Sequence, residues 1–372
     1  MTGLGEIPVP RYGETALADL SSSVLGSLGV AGAANVLDLP ELPRACVLLI
    51  DGMGWELLKA HPEETPFLSS LPGRALTAGF PATTVTSLSS LSTGLPPGAH
   101  GMLGYQVAVP GEGRLLNCLR WDNGQTDPES FQPRRTVYSR AADAGITSSY
   151  IASGAYMGSG FNSAITRGVK YVPADGMGQL VARAEEALEG KRAHVTVYHS
   201  DLDTAGHMYG AGSKTWRHQL RFVDLLAERL AEVVPAGTGL YVTADHGMTN
   251  PDEKVDIDDH PALTEGVALF GGEARARHVY TVDGAADDVL AAYTEFFGDR
   301  AWVMSRAQAV AAGCFGPVDP AMLPRIGDVV AVARGGLAIV RTAVDPIDGL
   351  MVGMHGSLVP EEQLVPLLWE AR

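Results

Sequence analysis

Three apolar runs in this chain each lead into an aspartate, and that pattern restricts the fold more than any other feature. The runs are ACVLLI into Asp51, AHVTVYHSDL into Asp203 and GLYVTA into Asp245. Short, β-branched apolar runs bounded by Gly and polar residues are expected as buried strands of a parallel sheet. Such sheets bind ligands just beyond the carboxyl ends of their strands. The three aspartates are therefore expected along one edge of one sheet.

Histidines accompany them. His207 follows Asp203 by four residues, so a single helical turn would place both on one face. His246 directly follows Asp245, and a bend at the strand end would aim both at one ion. His355 lies near the C-terminus in GMHGS. An aspartate after a strand often serves only as a turn residue or a helix cap. Isolated turn residues, however, do not recur as D-x-x-x-H and D-H pairs. Three carboxylates and three imidazoles at one sheet edge read as a metal site with room for two ions. Zinc suits mixed His and carboxylate ligation, and Mn or Fe is compatible with the same ligand types.

The surrounding sequence alternates strand and helix. Strands are expected at 45–50, 148–153 and 194–199 and at GLYVTA. Helices are expected from about Trp55, in the Ser/Thr-rich segment after Phe80, in DGMGQLVARAEEALEG and in KTWRHQLRFVDLLAERLAEVV. That rhythm predicts an α/β fold, a mostly parallel sheet sandwiched by helices. After Met248 the texture changes. Residues 262–345 carry GVALFGG, ARHVYTV, the helix ADDVLAAYTEFF and the strand pair IGDVVAVARGGLAIV, whose GG reads as a hairpin turn. This predicts a small α+β subdomain inserted in a single catalytic domain spanning 1–372.

Charge narrows the partners. With 27 basic and 43 acidic residues the net charge is −16, which argues against long nucleic acid. A small phosphate ester remains compatible, because divalent cations reverse the sign locally. No run approaches the roughly 18–20 apolar residues that span a bilayer, so no membrane partner is expected. The N-terminus MTGLGEIPVPRYGETALADL lacks a basic segment followed by an apolar one. Cys46, Cys118 and Cys314 are widely spaced and form no CxxC, which suits a reducing cytoplasm.

Between the first two aspartates lies GFPATTVTSLSSLSTGLPPGAHG. Thr83 or Thr84 would cap a helix there, and a hydroxyl at a helix N-terminus sits where phosphate is favoured. The motifs IDGMG, FPATTVTSLSSLSTGLPPGAHG, DLDTAGHMYG, TADHGM and MHG, in that order, resemble the alkaline phosphatase superfamily. They are most similar to its nucleotide pyrophosphatase/phosphodiesterase branch. The resemblance implies an alkaline-phosphatase-like α/β core, two Zn2+ per chain and a threonine nucleophile at Thr84. It implies one zinc held by Asp51, Asp245, His246 and the Thr84 oxygen, and the other by Asp203, His207 and His355. Thr83 and Ser87 stand where eukaryotic members carry Lys and Asn.

The expected activity is hydrolysis of small phosphate esters, such as a nucleotide or dinucleotide, through a phospho-threonine intermediate. Alternatives are a phosphomonoesterase, a phosphonate hydrolase or a non-catalytic metal-binding protein. Residues 81–104 contain no Lys or Arg, which favours a diester over a monoester dianion. The segment Met102, Leu103, Tyr105 is expected to receive the ester group. His100 and His260 are further candidate ligands. Tyr105, Asn117 and Trp121 are candidates to line the leaving-group pocket and Arg120 to contact phosphate, with Ser159 and Asn162 near the sheet edge.

Overall fold

The computed structural model describes residues 7–122 and 124–371. The first six residues of the N-terminal reading above lie outside the described residues. At the centre is a seven-stranded sheet in the order Gly73–Thr77, Leu364–Ala371, Thr238–Ala244, Arg44–Ile50, Ala193–His199, Thr147–Ala152, Lys170–Pro173. Only Leu364–Ala371 runs against its neighbours. The three central strands are near-continuous hydrophobic runs because helices cover the sheet, and they are almost wholly buried.

Register sets the site. Ile50 lies opposite both His199 and Ala244, so the three strands end level, and the Asp51 N–H donates to the His199 carbonyl across the rim at 3.0 Å. Asp51 and Asp245 are the next residues of their strands, as expected. Asp203 is not at a strand end. Its strand stops at His199, and Asp203 sits in the first turn of the helix Asp201–Tyr209. The YHSDL stretch reads as a continued apolar run, but Ser200 opens a helix there.

The covering helices follow their apolar spacing. Met177–Leu188 buries Leu180, Ala184 and Leu188, and Lys214–Val233 buries Trp216, Leu220, Val223, Ala227 and Leu230. Among the described residues no helix is long and apolar enough to cross a membrane.

A second sheet of four strands runs in the order Val267–Glu273, Ala276–Thr281, Val329–Ala333, Ala301–Ser305, with the helix Ala286–Phe297 packed on it. Its hydrophobic cluster also takes in Val255 and Ile257 upstream, and Leu337 and Ile339 downstream. The expected GG hairpin is absent. Val329–Ala333 is flanked on both sides by other strands, so Leu337–Val340 cannot pair with it and pairs in parallel with Glu253–Asp256.

Three buried imidazoles give the fold an acid-sensitive side. Burial pushes His100 down to about 3 and His194 and His278 down to about 4, from 6.5. Each folded value lies below the unfolded one, so this stability is full above pH 6.5 and is lost as pH falls from there towards 4. The slope is at most about 1.4 kcal/mol per pH unit for each imidazole. Between pH 6.5 and 4.5 the melting temperature is expected to fall. His194→Phe should flatten the decline, because His194 stacks on Tyr138 and its Nδ1 has no hydrogen-bond partner. An unchanged slope in that variant would remove His194 from the account.

Candidate metal centre and nucleophile

Beyond the level strand ends, the six predicted residues meet in two clusters. Asp51, Asp245 and His246 form one; Asp203, His207 and His355 form the other, each with its ligating atoms within 4.8 Å of one another. The His246 and His355 rings stack at 3.6 Å, and His207 and His355 lie 5.1 Å apart, so the clusters adjoin. As the spacing predicts, Asp203 Oδ2 and His207 Nε2 share a helix face, 3.2 Å apart. Gly52 makes the closeness possible. Its φ is +72°, and a Cβ there would stand 3.1 Å from the Asp203 Cα.

All three imidazoles are anchored the same way. His246 Nδ1 bonds the Gly247 carbonyl (2.9 Å), His207 Nδ1 the Gly353 carbonyl (2.8 Å) and His355 Nδ1 the Ala82 carbonyl (2.9 Å). A carbonyl only accepts, so each Nδ1 carries a proton and each Nε2 is the ring atom left to face the centre. Asp245 Oδ1 accepts from the Gly52 and His246 N–H groups at 3.1 and 3.0 Å, whereas Asp245 Oδ2 and Asp203 Oδ1 are buried with no hydrogen-bond partner. Burial, then the neighbouring Asp51 charge, pushes the Asp245 carboxyl well above the usual carboxylate range. Bare carboxylate oxygens in such a place suit cations bound between them. The donor set of carboxylate oxygens and Nε2 atoms fits divalent transition metals.

Thr84 opens the helix Thr84–Thr93, and its Oγ1 lies 3.5 Å from both Asp51 oxygens and 3.2 Å from His246 Nε2. Thr83 precedes the helix, and its side chain makes no cap bond to it. The helix is held at the rim by the bond from the Ala82 N–H to the Gly356 carbonyl, next to His355.

A cavity of about 210 Å³ opens beside Thr84, lined by Asp51, Leu88, Tyr156, Phe161, Asn162 and Tyr198 among others. Among the described residues no Lys or Arg lines it. Ser159 and Asn162 reach it, as their Gly-rich loop suggested. Tyr105, Asn117 and Trp121 do not line it: Trp121 packs on Phe131, and the Tyr105 N–H is spent on Glu273. Met102 and Leu103 are fully buried and cannot receive an ester group; the apolar wall of the cavity includes Leu88, Leu119 and Phe161 instead. Arg120 is exposed and does not line the cavity. His100 is structural, accepting the Met102 N–H at Nδ1 and bonding Ser90 through Nε2. His260 packs on Phe296, away from both clusters.

Sequence reasoning missed Tyr198, whose hydroxyl donates to Asp51 Oδ2. Its place at the end of a strand next to the Asp51 strand was a usable signal. It also missed Glu273, which approaches the site only through the second sheet.

No curated protein sequence matches this chain. Among solved structures it is similar to murine ectonucleotide pyrophosphatase/phosphodiesterase 5, at 18% identity over 88% of each chain with a TM-score of 0.70. The human protein of the same name matches equally. Phosphonoacetate hydrolase from Sinorhizobium meliloti 1021, in complex with phosphonoacetate, is similar at 17% identity over 89% of this chain and 91% of that one, with a TM-score of 0.69. At these identities the likeness shows a shared fold. Residues 45–358 match the family model of type I phosphodiesterase/nucleotide pyrophosphatase, and the chain belongs to that family of phosphoric ester hydrolases, within the alkaline phosphatase superfamily.

Proposed function

We propose that this protein is a two-zinc phosphodiesterase that cleaves small phosphate diesters, nucleotide esters among them, through a phosphoryl group carried on Thr84. The observation behind this reading is the placement of Thr84 Oγ1 against one cluster, with the second cluster adjoining through the stacked His246 and His355. Asp51, Asp245, His246 and Thr84 would hold one zinc, and Asp203, His207 and His355 the other. Zinc bound there supplies positive charge to the attacking and leaving oxygens of an in-line displacement.

The chain's own groups do the rest. Asp51 and His246 flank the Thr84 hydroxyl and fix its direction. Its oxygen bonds to phosphorus and gives up its proton as the bond to the leaving oxygen breaks, and the departing oxygen takes a proton from solvent. The other ester group stays on the Thr84-bound phosphorus until water hydrolyses that bond and Thr84 regains its proton. The first N–H groups of the helix, which have no partner within it, face the phosphoryl oxygens. Leu88, Phe161 and Tyr156 receive the neutral organic group. Murine relative and bacterial neighbour agree with small ligands of this kind: an inactive threonine-to-alanine variant of the former is described in complex with AMP, and the latter with phosphonoacetate. The three buried, unpaired cysteines suit work in the cytoplasm.

A monoester dianion carries an extra charge that calls for a further cation, and among the described residues no Lys or Arg lines the cavity beside Thr84. A higher kcat/KM is therefore expected for bis-p-nitrophenyl phosphate than for p-nitrophenyl phosphate, measured on zinc-loaded protein. Preference for the monoester would make the protein a phosphatase, and preference for phosphonoacetate a phosphonate hydrolase.

A further inference from the structure

A buried ion pair ties the second sheet to the loops around both clusters. Glu273 pairs with Ala276 in the ladder, so Ala274 and Arg275 form a two-residue turn between Val267–Glu273 and Ala276–Thr281. Arg275 is fully buried there, and its NH1 donates to the Gly335 carbonyl at 2.8 Å and also to the Leu337 carbonyl. Its Nε and NH2 donate to a single oxygen, Glu362 Oε1, at 2.8 and 2.6 Å. The Glu362 side chain is fully buried as well. Its Oε2 is thereby left for another donor.

That donor is the Ser357 N–H, two residues after His355, at 2.6 Å, while the Thr249 hydroxyl joins Arg275 at Oε1 from 2.9 Å. Thr249 in turn exchanges backbone bonds with Met354, N–H to carbonyl in both directions, at 2.9 and 2.8 Å. His355 therefore lies between two grips of one carboxylate. The Ser357 hydroxyl adds a bond to the Ala333 carbonyl of the second sheet at 2.5 Å, and a Cβ on Gly356 would stand 2.8 Å from the Glu273 Cβ. The other cluster meets Glu362 differently. Gly247, whose carbonyl anchors the His246 ring, donates its N–H to the backbone carbonyl of Glu362 at 2.8 Å. That bond does not depend on the side chain.

We propose that Glu362 is a positioning residue for one half of the centre: held by Arg275, its carboxylate sets the His355 loop and with it the cation affinity of Asp203, His207 and His355, leaving Asp51, Asp245 and His246 unaffected. The second sheet thereby takes part in building the centre without contributing a ligand. A carboxylate suits the place because it only accepts, and Arg275, Thr249 and Ser357 all donate to it. This rests on the two-cluster reading above.

The test is metal binding by Glu362→Gln. Whichever way the amide is turned, its NH2 group faces a donor, Ser357 on one side or Arg275 on the other. After chelation, zinc titrated calorimetrically into this variant should find one equivalent at wild-type affinity and a second bound roughly 10–100-fold more weakly, the usual cost of losing a partner behind a ligand. Adding His246→Ala should then weaken the strong equivalent, and adding His207→Ala should leave it as it was. A role in packing alone predicts a lower melting temperature for the metal-free protein with both equivalents weakened alike. Should Glu362→Gln not fold, Thr249→Val decides, since it removes one donor and keeps both the ion pair and the backbone bonds to Met354. The same single equivalent should weaken there, by roughly tenfold. Equal weakening of both equivalents, or wild-type affinity for both, in whichever variant folds overturns the proposal. Wild-type protein that binds no second equivalent would instead overturn the two-metal reading beneath it.

Discussion

Thr84→Ala is expected to lower kcat by roughly 10⁴-fold or more, the scale seen when a covalent nucleophile is removed. Folding should survive. Thr84 is the first residue of its helix, it is only half-buried, and alanine suits a helix at least as well. The metals should also remain, since Asp51, Asp245 and His246 are untouched. Thr84→Ser keeps the oxygen and should retain part of the activity. Wild type acid-quenched during turnover of bis-p-nitrophenyl phosphate should carry one p-nitrophenyl phosphoryl group by intact mass, and Thr84→Ala none. If Thr84→Ala is phosphorylated while Thr83→Ala is not, the nucleophile is one residue earlier and the geometry around Asp51 has been misjudged.

Asp245→Asn should abolish activity while leaving the metal-free protein as stable as wild type, or more so. The two effects have one origin. Asp245 Oδ1 keeps its bonds from Gly52 and His246 in the amide, so the fold loses nothing there. Its second oxygen, buried without a hydrogen bond and 3.5 Å from His246 Nε2, stops being a charge that burial and Asp51 disfavour. What disappears is the cation's affinity for that cluster. Zinc at 1,000 times its dissociation constant stabilises a native site by about 4 kcal/mol, so wild type should melt well below its holo value after chelation and recover with zinc. Asp245→Asn should show a smaller response and about half the bound metal by elemental analysis. Two full equivalents in that variant, with activity, would detach Asp245 from the centre.

The sheet and its clusters were largely legible because they rest on short-range rules. Apolar runs ending in aspartate gave the central strands, and the four-residue spacing of Asp203 and His207 gave a shared helix face. Asp203 was misplaced by one element, since a Ser–Asp–Leu step looks alike at the end of a strand and the start of a helix. The GG hairpin failed for a longer-range reason: Val329–Ala333 is central in its sheet, and a strand's neighbours are set by the whole sheet rather than by its turn. Pocket residues were harder still. Met102, Leu103 and Tyr105 follow the nucleophile helix closely, but the chain turns the first two inward, Tyr105 does not line the cavity, and the wall comes from Phe161, Asn162 and Tyr198. Glu273 stands 189 residues after Thr84, as 273 − 84 shows, and no local pattern links the two.

The anchoring of each imidazole through a backbone carbonyl has a bearing on how the protein comes to be made. The cluster of Asp51, Asp245 and His246 uses only Gly247 to orient its ring, so all its parts exist once the ribosome has passed that residue. The other cluster waits for His355, and the orientation of His207 waits for Gly353. The strand that closes the central sheet beside Thr238–Ala244 comes later still, at Leu364–Ala371. A nascent chain thus gathers one half of its centre more than a hundred residues before the other, 355 − 246 = 109. Premature termination anywhere in that interval would leave a polypeptide with one half of the ligand set and without the other.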